Sequence, residues 1–171
     1  VKTGAVRAIV NLCRQPDGSY SEDHYNYAIG ELAEPGSTFK LASLMACLEE
    51  GGAKLTDTID TYDGQFRLYD RVMRDSKPGG HGNVSVQRAF EVSSNIGISR
   101  LVMKCFGADK QEYVNCLRNM GLCDSLGLDI KGENRSVIKD PSDPTWSGIT
   151  LPWMSIGYEV RLTPLQLLTF Y

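Results

Sequence analysis

No stretch of this sequence approaches the roughly 20 consecutive apolar residues that span a bilayer, and its opening residues do not form a signal peptide. A basic excess is also missing. The net charge is -3, which gives nucleic acid or an anionic membrane surface no electrostatic reason to bind. The five cysteines, Cys13, Cys47, Cys105, Cys116 and Cys123, include no Cys-x-x-Cys pair, so a structural zinc site lacks its scaffold. Neither metal nor cofactor is expected. The glycines of Lys77-Pro78-Gly79-Gly80-His81-Gly82 are not followed by Gly-Lys-Ser/Thr, which excludes a phosphate cradle and leaves a flexible loop. Internal repeats and low-complexity linkers are absent too.

What remains is an ordinary globular composition, 42% hydrophobic and 23% charged over 171 residues, which suits one domain over residues 1–171. Val1 opens directly in an apolar pattern, and the end carries a helix start at Pro164 without a stop. The sequence therefore reads as a partial domain trimmed at both ends, with any anchor lying outside it. Cys47 and Cys105 sit in apolar helical patterns, where a free thiol behaves as a small hydrophobe. Cys116 and Cys123 leave two readings open, a shared helix face or two buried thiols. Five unpaired thiols lean toward a reducing compartment.

The patterning predicts a strand over residues 5–12, closed by Gln15-Pro16-Asp17-Gly18, and a loop over residues 20–34. A helix apolar on nearly every face spans residues 38–50 and stops at Gly51-Gly52, so it belongs at the centre of the molecule. Residues 58–75 read as a hairpin turning at Asp63-Gly64. Ser85 is placed to cap a short helix carrying Val86, Ala89 and Phe90. A second helix follows Ser93-Ser94-Asn95 and ends at Gly107, and a third spans residues 109–120 before Gly121. Residues 127–151 read as loop, and a last helix starts near Pro164. The fold class is α/β, helix-rich with few antiparallel strands.

Chemistry concentrates in Pro35-Gly36-Ser37-Thr38-Phe39-Lys40. Ser37 and Lys40, one helical turn apart, put a hydroxyl beside an amine. An amine able to take the proton makes the hydroxyl a nucleophile without a histidine. Ser-x-x-Lys arises by chance about once in a chain of this size and occurs twice here, the other match being Ser136 and Lys139. There Asp140 precedes Pro141, which disfavours helical geometry, so that pair is set aside. For the first pair two readings compete. Ser37 or Gly36 caps the helix and Lys40 is a solvated charge, or Lys40 is a poorly solvated base. A lysine in the first turn opposes the helix dipole, and Phe39, Leu41 and Ala42 surround it with apolar groups, so its proton should be held weakly. Ser93-Ser94-Asn95 carries a similar ambiguity. These residues are favoured caps, yet Ser93 is also suited to relay a proton and the Asn95 amide to hold a substrate carbonyl or amide.

Taken together and in this order, the two motifs resemble those of the penicillin-binding proteins, the D,D-transpeptidases that cross-link peptidoglycan. Pro35 to Lys40 resembles their Ser-x-x-Lys string, and Ser93-Ser94-Asn95-Ile96-Gly97 their Ser-x-Asn string. Thr3-Gly4-Ala5-Val6-Arg7-Ala8-Ile9-Val10 is similar to their first sheet strand. Ile156-Gly157-Tyr158-Glu159-Val160-Arg161-Leu162-Thr163-Pro164-Leu165-Gln166 is similar to the segment before their third motif. The style is that of the monofunctional class serving cell division or elongation. The resemblance implies Ser37 as nucleophile, Lys40 as its base, Ser93 as proton donor to the leaving group and Asn95 as a substrate-positioning residue. It also implies peptidoglycan stem peptides and β-lactam antibiotics as ligands, cell-wall assembly proteins as partners, and a site of action on the periplasmic face of the inner membrane. A serine β-lactamase or β-lactam sensor, and a non-catalytic scaffold module, are the rival readings. The family's third motif, Lys-Thr/Ser-Gly, should follow the last helix. Here the one Lys-Thr-Gly, Lys2-Thr3-Gly4, stands ahead of the serine and reads as a turn before a strand. The chain taken alone is therefore expected to be a poor catalyst.

Overall fold

Short stretches that alternate or turn form ribbons, and the longer 3.6-periodic ones form the core. The computed structural model describes residues 3–171; Val1 and Lys2, and with them the Lys of Lys2-Thr3-Gly4, lie outside the described residues. β1 (Leu12–Arg14) and β2 (Tyr20–Glu22) pair antiparallel, and α1 (Tyr27–Gly30) follows, capped by the Asn26 side chain. A 3-10 turn, Gly36–Phe39, runs into α2 (Lys40–Glu49). β3 (Thr58–Asp60) leads to the hairpin of β4 (Gln65–Leu68) and β5 (Arg71–Arg74), and β6 (Asn83–Ser85) returns to pair with β3. Then come α3 (Val86–Glu91), α4 (Asn95–Phe106), α5 (Lys110–Asn119), β7 (Val137–Ile138), α6 (Thr150–Met154), β8 (Val160–Arg161) paired with β7, and α7 (Pro164–Phe170). All four ribbons are two-stranded and antiparallel.

The helices hold the molecule together. α2 packs on α4 and α5, and α4 also packs on α3 and α6. One core joins Phe39, Ala42, Leu44, Ala46 and Cys47 to Leu101, Val102 and Phe106 of α4, to Tyr113, Cys116 and Leu117 of α5, and to Leu151 and Met154 of α6. Each such large side chain removed from water contributes about 1.5–3 kcal/mol before entropy is counted. The expected central helix is therefore where it was placed. The predicted cap holds as well, with Ser85 accepting from the Arg88 N–H; the structure adds two that the sequence reading did not name, Asp109 accepting from the Glu112 N–H and Thr163 in a reciprocal capping box with Gln166.

Several expectations are corrected. The strand over residues 5–12 forms only from Leu12, because no ladder partner stands opposite residues 5–10 among the described residues. Val10 there is 73% exposed, and an unpaired extended segment gains no ladder bonds. Residues 20–34 are not all loop but hold β2 and α1. The hairpin turns at Tyr69-Asp70, with Tyr69 left-handed at φ 54°, a residue with no turn preference. Asp63-Gly64 instead turns the chain from β3 into β4. The glycine-rich loop is not free, since Gly80 packs directly on the Gly64 backbone and the His81 N–H donates to Thr61 Oγ1. Residues 127–151 hold β7 and the start of α6. Cys116 is buried on α5, whereas Cys123 lies beyond that helix and is exposed, so neither reading of that pair holds for both.

Candidate active site

Ser37 lies exposed in the 3-10 turn that precedes α2. Neither it nor Gly36 caps the helix, because no side chain accepts at that N-terminus. The turn is instead clamped by neighbours. The Gly36 N–H donates to the Gly157 carbonyl at 3.0 Å, and a Cβ on Gly157 (φ 83°) would run into the Gly36 carbonyl. Glu34 accepts from the Glu159 N–H at 2.9 Å. On the other side the Tyr171 hydroxyl donates to the Thr38 carbonyl at 2.7 Å.

Lys40 opens α2, and its residue is 1% exposed. Its amine donates to the Ser93 carbonyl at 2.6 Å and to the Ser93 hydroxyl at 3.0 Å. Burial lowers its pKa from 10.5 to about 8, and the Asp75 carboxylate opposes part of that fall. It is not a solvated charge. Among the described residues the amine makes no hydrogen bond to the Ser37 hydroxyl one turn away, and the structure joins the two through the Lys40 N–H donating to the Ser37 carbonyl.

Ser93 sits between α3 and α4 in a left-handed conformation, φ 54°, strained for a residue with a Cβ. Its N–H donates to the Phe90 carbonyl at 2.9 Å. The capping and catalytic readings of Ser93-Ser94-Asn95 separate here. Ser94 is the cap, accepting from the Gly97 N–H at 2.9 Å, which leaves the Ser93 hydroxyl facing the amine of Lys40. Asn95, the first residue of α4, donates its side-chain amide to the Arg74 carbonyl at 2.7 Å. Ser37, Lys40 and Ser93 thus come from two separated segments, and Asn95 is held at the margin by β5.

Sequence reasoning missed the contributions of Asp75 and Gly157. Asp75 accepts from the Ser94 hydroxyl at 2.7 Å and from the Ile96 N–H at 3.1 Å. No local pattern marks it, because its partners lie about 20 residues away. Lys139 of the discarded pair bonds to Glu159 at 2.8 Å and takes no part. An open cleft of about 280 Å³ lined by Asp63, Arg74, Asp75 and Lys77 adjoins the Asn95 anchor. Among the described residues no cluster of His, Cys, Asp and Glu is placed to hold a metal ion.

Comparison with known proteins agrees in extent and in kind. The family model described as the penicillin-binding protein transpeptidase domain matches residues 1–171. The peptidoglycan D,D-transpeptidase FtsI of Escherichia coli is 27% identical over 175 residues, covering 100% of this chain and 28% of the relative. The probable peptidoglycan D,D-transpeptidase PenA of Neisseria flavescens is 27% identical, over 99% of the chain and 41% of its own length. Among solved structures, penicillin-binding protein 3 of Mycobacterium tuberculosis superposes with a TM-score of 0.76 at 26% identity, covering 92% of this chain and 33% of that one. The same protein complexed with ampicillin gives 0.75. The chain thus spans under half the length of these relatives.

Proposed function

We propose a function from one premise: the chain belongs to the penicillin-binding protein transpeptidase domain family, along its whole length. The protein that contains it is a serine D,D-transpeptidase of the cell-division type, acting on peptidoglycan stem peptides outside the cytoplasmic membrane. Ser37 Oγ attacks the carbonyl of the penultimate D-Ala of a D-Ala-D-Ala terminus, forming a C–O bond as its proton passes to Lys40 Nζ. The C–N bond then breaks, and the departing D-Ala amine takes a proton relayed from Lys40 through the Ser93 hydroxyl. An amine of a second stem peptide then attacks the acyl carbon, forming a C–N bond as the C–O bond to Ser37 breaks, and its proton passes through Lys40 back to Ser37 Oγ, which completes the cross-link. Asn95 orients the donor peptide, β-lactams acylate Ser37 as mimics of it, and cell-wall assembly proteins are the partners.

The observation that carries this reading is the Lys40 amine, buried, with its pKa lowered to about 8 and hydrogen-bonded to the Ser93 hydroxyl at 3.0 Å. An amine near that pKa is partly neutral at physiological pH and can accept a proton. Labelling the complete protein with a fluorescent penicillin tests it. The expected result is one acyl group per chain, mapped to Ser37 by mass spectrometry and lost in Ser37→Ala. Labelling that survives Ser37→Ala overturns the assignment. Rapid release of the acyl group would mark a β-lactamase instead, because a transpeptidase holds it. Undisturbed growth of cells carrying only the Ser37→Ala protein would favour the scaffold reading.

A further inference from the structure

Two consecutive residues at the end of the β4–β5 hairpin hold three consecutive residues of the second motif. The Asp75 carboxylate accepts from the Ser94 hydroxyl at 2.7 Å through Oδ2 and from the Ile96 N–H at 3.1 Å through Oδ1. The preceding Arg74 carbonyl accepts from the Asn95 amide at 2.7 Å. Ser94 completes the tie by accepting from the Gly97 N–H at 2.9 Å. The Ser94 hydroxyl has one hydrogen and gives it to Asp75, so its lone pairs are free to cap the helix. Asp75 thus locks the first turn of α4 onto the hairpin. Immediately before that turn stands Ser93, whose left-handed backbone (φ 54°) is a conformation that persists only when its surroundings enforce it.

We infer that Asp75 is a positioning residue for the acylation chemistry: its carboxylate anchors Ser94 and Ile96, and so keeps both Ser93 oxygens on the Lys40 amine. This rests on the function proposed above and adds a residue that acts through others. Two consequences follow from the one group. Sterically, the Ser93 carbonyl and hydroxyl stay 2.6 and 3.0 Å from the amine. Electrostatically, the carboxylate opposes the effect of burial and keeps the amine more basic than its surroundings alone would. Among the described residues no other charged group acts on that amine: Arg100 of α4 turns to the Asp60 carbonyl and the Tyr62 ring, Arg88 and Glu91 of α3 pair with each other, α5 presents its Tyr113 phenol to Ser43, and α6 carries no charge.

The test is the pH dependence of the acylation rate of the complete protein by a fluorescent penicillin. Asp75→Asn leaves one acceptor oxygen where the carboxylate serves both the Ser94 hydroxyl and the Ile96 N–H, and removes the charge. The rate should fall by about 10²-fold, the typical effect of displacing a catalytic group by about an ångström. The acid limb of the profile should also move to lower pH, because an amine without its carboxylate neighbour loses its proton more readily. Asp75→Glu keeps the charge but displaces it, so the rate should fall with the limb unmoved. An Asp75→Asn protein with the wild-type rate overturns the inference. So does one that is slower with its limb in place, since that is what a purely structural tie would give. If Asp75→Asn does not fold, Asp75→Glu at the wild-type rate overturns it instead. Ser37→Ala run in parallel separates the two readings, because only retained labelling there sinks the transpeptidase assignment itself.

Discussion

At the scale of single residues, the site depends on groups held where they are least comfortable. Lys40 sits at 1% exposure with its pKa lowered from 10.5 to about 8, so keeping it protonated in the fold costs up to about 3 kcal/mol. Between those two values the unfolded chain binds the proton and the folded one does not, so stability rises with pH across that window. The difference in unfolding free energy between wild type and Lys40→Met should therefore grow in favour of wild type from about pH 8 to 10.5. Urea titrations across that range would show it, and a flat or falling difference would contradict it. The same substitution removes the proposed base, and acylation should fall by about 10²–10⁴-fold. Gly157 is a second such residue. With φ at 83° and the Gly36 carbonyl where a Cβ would stand, Gly157→Ala should destabilise by about 2–4 kcal/mol. It should also slow acylation, because the displaced atoms belong to the turn that carries Ser37. Differential scanning calorimetry and penicillin labelling on the same sample would read both effects.

Between elements, a buried polar node ties three helices together. The Ser43 hydroxyl of α2 donates to the Ser155 carbonyl just past α6 at 2.7 Å. Its single hydrogen is thereby used, so the contact at 2.8 Å to Tyr113 of α5 must have the phenol as donor. Burial pushes the Tyr113 phenol far above its ordinary pKa, so it remains a donor at any physiological pH. Ser43→Ala would strand both the phenol and the carbonyl and should cost about 2–3 kcal/mol, whereas Tyr113→Phe leaves the Ser43–Ser155 bond intact and should cost about 1 kcal/mol. The double variant should destabilise by less than the sum, and equilibrium unfolding of the four proteins would measure the coupling. At this scale the helices were largely legible in advance. Ser85 announces its cap and the cap appears, and the helices expected at residues 109–120 and near Pro164 form. The ribbons were not, because three-residue strands carry too little periodicity to separate from loop, and the Tyr69-Asp70 turn has no glycine or asparagine to mark it.

For the whole molecule, the candidate site is assembled from segments far apart in the chain: the turn at Ser37, the α3–α4 junction at Ser93, the hairpin end at Asp75 and the loop at Gly157. The core of α2, α4, α5 and α6 sets their spacing. No Lys-Thr/Ser-Gly string follows Ser37 within these 171 residues, so none of these segments is the third motif that the resemblance expects.

The sequence by itself determined the identity of the chemically capable groups and the helices that bear them, because a Ser-x-x-Lys at a helix start, a Ser-x-Asn before another, and capping residues are local signals written within a turn or two. It also placed the apolar α2 at the centre, since a helix without a polar face has nowhere else to go. Only the tertiary structure decided which of Ser93 and Ser94 caps and which meets the amine, that Asp75 anchors the second motif, and that Gly157 closes on the turn carrying Ser37. Those choices depend on groups brought together across about 20 to 120 residues of chain, by the burial of a shared core rather than by any local preference.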